Sequence, residues 1–150
     1  MLTDSATDAL GSLVVSEPAP GVLEVVVHGR LSPEVGAVFP RYAKGASLRR
    51  DRCAVFLDVR GLKAFDGAVR AAWINTVLEH KERIDEVVVL SSDLLVTLSA
   101  RAASVALAPL GVRFDVFTDE RRYLARRARR VDAFPSCAEP QSVAPRTAVA

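Results

Sequence analysis

Seven consecutive residues, Cys53-Ala54-Val55-Phe56-Leu57-Asp58-Val59, contain one charged side chain. A strand with one wet face alternates apolar and polar residues, so a nearly unbroken apolar run predicts a strand covered on both faces. Val87-Val88-Val89-Leu90 repeats the pattern. Between the two runs, Val69, Ala72, Trp73, Thr76, Val77 and His80 recur at helical spacing, predicting a helix over 66–83 with one apolar stripe. Buried strand, helix, buried strand is the signature of a parallel crossover, and it commits the chain to an α/β layer architecture.

The remaining elements fit around that unit. Residues 12–16 and 22–28 read as strands joined by Pro18-Ala19-Pro20-Gly21, a turn in which proline fixes φ and glycine permits positive φ. Ser32 caps a helix with Pro33 in its first position; the helix runs to about residue 50, with Pro40 expected to bend or interrupt it. A third helix is expected over 93–110, ending near Pro109 and Gly111. Residues 112–117 alternate, as an edge strand does, and Thr118 or Asp119 caps a last helix over 120–130. The predicted fold is α/β: a small, mixed, mostly parallel sheet in the order β-β-α-β-α-β-α-β-α, flanked by helices, with right-handed crossovers. One domain spans 12–130. Residues 1–11 are expected as a flexible N-terminus, and 131–150, with Pro135, Pro140 and Pro145, as a disordered tail.

Composition narrows the function classes. Half of the 150 residues are hydrophobic, enough for a substantial core. No apolar run approaches the ~20 residues of a transmembrane helix. The opening MLTDSATDAL lacks the basic region of a signal peptide, and Cys53 and Cys137 are too few for a disulfide framework, so a reducing cytoplasmic setting is expected. The net charge of +2 is unevenly spread: residues 121–150 hold seven arginines against Asp132 and Glu139, leaving the rest of the chain net acidic. On the last helix, Arg122, Arg126 and Arg129 are candidates for contact with an acidic protein partner; nucleic acid is not expected.

Enzyme signatures are missing. The chain has no nucleophile-elbow, P-loop or dinucleotide-binding motif, and its two histidines, His28 and His80, sit in no ligand cluster, so neither a metal nor another cofactor is expected. Polar residues gather at the carboxyl ends of the predicted strands: Asp58, Asp66, Ser91, Ser92, Asp93 and Thr118. Open α/β sheets bind their ligands at that edge, although every such fold also carries polar loops there. Asp66, followed by small residues, is at the least a helix cap. The apolar residues of 93–110, beginning Leu94-Leu95-Val96, exceed what one sheet face covers; the surplus fits an oligomer interface or an apolar pocket.

The segment Leu57-Asp58-Val59-Arg60-Gly61-Leu62-Lys63-Ala64-Phe65-Asp66-Gly67-Ala68-Val69, placed after the third strand of this element order, resembles the STAS family of sulphate transporters and anti-sigma-factor antagonists. The family pattern there runs L-[DN]-[LV]-x-x-[LV]-x-x-[IMF]-D-S-S-G. Leu57, Asp58, Val59, Leu62, Phe65 and Asp66 match it, and Gly29-Arg30-Leu31 is similar to the family's G-x-L before its first helix. The paired serines are replaced by Gly67 and Ala68 and the final glycine by Val69, so the hydroxyl that carries phosphate in the family is absent.

The resemblance implies a non-enzymatic regulatory module. It would dock a protein, such as an anti-sigma-type kinase or another regulator, through Asp58, Asp66, Gly67, Ala68 and Arg70. Two alternatives remain. One is a carrier or sensor of a small hydrophobic or lipid ligand near Trp73, Leu94 and Leu98. The other is a scaffold or homodimer assembled through a sheet edge or the third helix.

Overall fold

The computed structural model describes residues 3–47 and 52–133. Its six strands are β1 (Thr3–Thr7), β2 (Gly11–Ala19), β3 (Val22–Leu31), β4 (Cys53–Phe65), β5 (Ile84–Leu90) and β6 (Arg113–Phe117). They lie in the sheet in sequence order, β1-β2-β3-β4-β5-β6. The first two pairings are antiparallel and the last three parallel. The helices are α1 (Pro33–Gly36), α2 (Val38–Ser47), α3 (Gly67–Glu79), α4 (Leu94–Leu107) and α5 (Glu120–Asp132), with a 3₁₀ turn at Ala108–Leu110.

This order fixes which face each helix covers. Every parallel crossover steps one strand in the same direction, so right-handed connections put α1 to α4 on one face. There Val55, Leu57 and Val59 of β4 and Val87 and Val89 of β5 form the main core with Val35, Phe39, Val69 and Val77. The alternate residues, Ala54, Phe56, Val88 and Leu90, form a smaller core on the other face with Tyr123 of α5. Phe56 and Tyr123 meet edge to face, with ring centroids 5.7 Å apart. Both faces of β4 and β5 are covered, which is why the two strands read as continuous apolar runs.

The fold class, mixed and mostly parallel with flanking helices, is as the sequence implies, and β6 lies at an edge. Four local features differ. Residues 1–11, expected to be flexible, supply β1, whose Thr3, Ser5 and Thr7 pair with Ser16, Val14 and Ser12 of β2. A short polar edge strand carries almost no hydrophobic signal of its own. Asp8 closes the following turn, accepting hydrogen bonds from the Leu10 and Gly11 amides at 2.8 and 2.9 Å and from Ser32 Oγ at 2.7 Å.

The second difference is that β4 continues to Phe65, where a loop was expected beyond Val59. Its extension pairs with His28–Leu31 of β3 through two register shifts. Gly29 permits this path: its φ is +74°, and a Cβ there would lie 2.4 Å from the Leu10 carbonyl oxygen. Third, the first helix breaks at Ala37, three residues before Pro40, so that Pro40 falls in the first turn of α2 where its missing N–H is not needed. Fourth, α5 runs through Asp132, into the segment expected to be disordered, and is capped at Ala133. The expected disorder beyond that point lies outside the described residues.

Candidate functional site

Asp66 sits where β4 gives way to α3. Its backbone is extended, and its carboxylate accepts the Ala68 amide at 3.0 Å, as an N-cap does. Asp66, Gly67, Ala68 and Arg70 are all exposed. A Cβ added at Gly67 would meet nothing within 4 Å, so the first turn of α3 stands open to solvent. One helix along, Asp93 caps α4 in the same way, accepting the Val96 amide at 3.0 Å. Arg70 Nη1 donates to Ser99 Oγ at 3.4 Å, bridging the two helices near their starts.

Asp58 does not join this group. It lies two residues beyond Phe56 and so on the α5 face of the sheet. Its carboxylate is held by Arg60, with Nε at 3.0 Å, Nη2 at 2.7 Å and the Arg60 amide at 3.2 Å. Arg60 also reaches Glu120 at the start of α5, at 3.1 Å. Partial burial works to raise the Asp58 pKa, but the hydrogen bonds from Arg60 outweigh it and hold the carboxyl below its usual value. Asp58 therefore ties β4 to α5, while the exposed set expected around Asp66 shrinks to Asp66, Gly67, Ala68 and Arg70.

Between α3, α4 and the sheet runs an apolar cleft of about 130 Å³. Leu57, Leu62, Val69, Trp73, Val89 and Ala100 are among its walls, and Arg70 and Ser99 are its polar members. Trp73 is fixed by its Nε1–H, which donates to the Gly36 carbonyl at 2.8 Å, and by edge contact with Phe39 at 5.1 Å. Gly36 allows that approach, since a Cβ there would lie 2.7 Å from Val69 Cγ1.

Leu94 and Leu98, expected beside Trp73, line no part of this cleft. They are 71% and 52% exposed and, with Leu95 at 76% and Val105 at 75%, form an outward apolar stripe on α4. Sequence reasoning recognised this surplus but not which way it faces. Four residues that do face inward, Val96, Ala100, Ala103 and Leu107, follow the same helical period.

The arginines of α5 divide. Arg126 pairs with Glu86, a residue only 5% exposed, with Nε at 3.1 Å, and lies 3.7 Å from Asp115. Arg127 pairs with Glu24, and Arg130 grips both carboxylate oxygens of Asp85 at 2.7 Å. Arg126 is therefore spent inside the fold, correcting its reading as a partner contact; Arg122 and Arg129 are exposed. The missed signal was the set of carboxylates inside strands, Glu24 among the valines of β3 and Asp85-Glu86 at the head of β5.

Among the described residues, no three His, Cys, Asp or Glu side chains converge on a position that could hold a metal. No helix among them is long and apolar enough to cross a membrane. Cys53 is buried; burial first, and then the Asp85 carboxylate, push its thiol pKa up to about 11.

No protein-family model matches the chain, and no curated protein matches it. Solved structures do. One is an uncharacterized DUF3478-family protein from Shewanella loihica PV-4 with a SpoIIAA-like fold: 17% identical, TM-score 0.57, covering 84% of this chain and 95% of that one. Another is an anti-sigma factor antagonist from Mycobacterium paratuberculosis: 11% identical, TM-score 0.51, covering 77% of this chain and 92% of the other. At such identities the likeness concerns the fold alone, and the fold of this chain is SpoIIAA-like.

Proposed function

We propose that this chain is a non-catalytic regulatory module that binds a protein partner through the surface where α3 and α4 begin. The observation that carries the reading is the adjacency of two exposed features. The open first turn of α3, from Asp66 to Arg70, is joined by the Arg70–Ser99 contact to the exposed Leu94, Leu95 and Leu98 of α4. A patch of exposed leucines beside fixed polar groups is the composition of a recognition surface, with an apolar centre and a polar rim. The fold shared with an anti-sigma factor antagonist supports a partner of the regulatory class, such as an anti-sigma-type kinase.

With Gly67 and Ala68 at the turn, the surface recognises without being switched by phosphate at that place. The free, buried Cys53 suits action in a reducing cytoplasm. The test is affinity capture from the native cell extract with wild type, Asp66→Arg and Leu95→Glu/Leu98→Glu. The reading expects one partner retained by wild type and lost from both variants. An identical set of captured proteins in all three would overturn it.

A further inference from the structure

We propose that the cleft between α3 and α4 is a binding site for a small monocarboxylate whose apolar body is one ring or a short branched chain. The inference goes beyond the docking reading and uses the interior beneath that surface. The cleft opens to solvent and its walls are almost wholly apolar, which is the make-up of a small-molecule site. At about 130 Å³ the space approaches the roughly 150 Å³ engineered cavity that takes up benzene. A single ring or a four- to five-carbon branch fills such a space, whereas a full lipid tail does not.

The charge of the ligand follows from the mouth. The described lining contains no carboxylate and one cation, Arg70, whose guanidinium reaches across the opening to Ser99. At 3.4 Å that contact is long and readily exchanged. A ligand carboxylate placed there would take the planar donor fork of Arg70 and the hydroxyl of Ser99 together, a charge-assisted pairing that water and serine alone do not match. The apolar body would then lie against Trp73, Val69 and Val89. Trp73 is the chain's one tryptophan, so its emission reports the cleft directly.

The experiment titrates purified full-length chain with phenylacetate and 3-methylbutanoate, and in parallel with phenylacetamide and 3-methylbutanamide. It follows Trp73 emission and the methyl NMR signals of Val69 and Val89. The expected result is saturable change with both acids at micromolar to millimolar concentration, localised to those methyls, with each amide binding about tenfold more weakly. In Arg70→Gln, an exposed position whose replacement leaves the core intact, the acid should bind no better than the amide. Absence of any saturable change with the acids up to millimolar concentration overturns the proposal. So does equal binding of acid and amide to wild type, or methyl shifts confined to residues outside the cleft. No partner protein enters this experiment, so its failure leaves the docking reading untouched, and failure of the capture experiment leaves this site untouched.

Discussion

Helices α4 and α5 lie on opposite faces of the same sheet and are held there by opposite means. α4 turns Val96, Ala100, Ala103 and Leu107 toward the sheet and presents leucines and Val105 to solvent. α5 buries one residue, Tyr123, and fastens itself by Arg126, Arg127 and Arg130 to carboxylates on β3 and β5. The apolar helix thus carries the exposed surface proposed for docking, and the arginine-rich helix is a structural clasp. A helix's own composition describes what it offers. Its role depends on what the opposing sheet supplies, and here the sheet supplies Glu24 on β3 and Asp85 and Glu86 on β5.

The sharpest way to break this comparison is to remove the most buried carboxylate of the clasp. Glu86→Gln removes the charge opposite Arg126 and leaves Asp115, at 3.7 Å, as its remaining carboxylate. Breaking a buried ion pair from one side typically costs 3–5 kcal/mol, and Arg126 keeps about a fifth of its side chain exposed, so a loss of about 2 kcal/mol is expected in urea unfolding. A change below about 0.5 kcal/mol, the scale of surface pairs, would demote the clasp to ordinary solvated charge.

Tyr123 sharpens the same point. Burial, then the Glu24 carboxylate, raise its pKa, and its hydroxyl has no hydrogen-bond partner among the described residues. An unpartnered buried hydroxyl is a cost, while the ring packed on Phe56 is the gain. Tyr123→Phe should therefore leave stability unchanged or raise it by up to about 1 kcal/mol. A loss of more than about 1 kcal/mol in thermal unfolding would show that the hydroxyl is bonded in solution.

Acid tests the start of the clasp. The Asp58 carboxyl is held below its unfolded value, so its contribution to stability is fully present above about pH 4 and is lost as pH falls through the lowered folded value. Asp58→Asn should flatten the acid limb of a stability–pH curve below about pH 4 and leave its slope near neutrality unchanged. An acid limb identical to wild type would release Asp58 from its tie to Arg60.

How much of this was legible follows from where each signal resides. The parallel core showed in the runs at 53–59 and 87–90, because strands covered on both faces have no polar alternation. The caps at Ser32 and Asp66 showed because capping is local chemistry between a side chain and amides two or three residues away. β1 did not show, since its threonines and serine gain strand structure only by pairing with β2. Nor did the extension of β4, which depends on Gly29 bending β3 to meet it. At the site, Asp66 to Arg70 was legible from the turn, but the separation of Asp58 from it needed the strand's side-chain alternation carried past Phe56. The exclusion of Leu94 and Leu98 from the cleft needed the rotation of α4, which several equally apolar positions leave undetermined in sequence.

The smallest expected effect is the most discriminating for the outward stripe. If Leu98 were part of the core, Leu98→Gln would bury an amide without partners and cost several kcal/mol. At 52% exposure it instead exchanges solvated methyl groups for a solvated amide, and stability should move by no more than about 0.5 kcal/mol. Helix propensity does not confound the result, because leucine and glutamine are nearly equal formers. The same substitution should weaken partner capture, since the lost apolar surface lies in the centre of the proposed docking patch. Stability loss together with intact capture would place Leu98 in the interior and move the recognition surface elsewhere. Intact stability with lost capture is the signature of a side chain kept for a partner, which is the role the exposed face of α4 is assigned and the buried face of α5 is not.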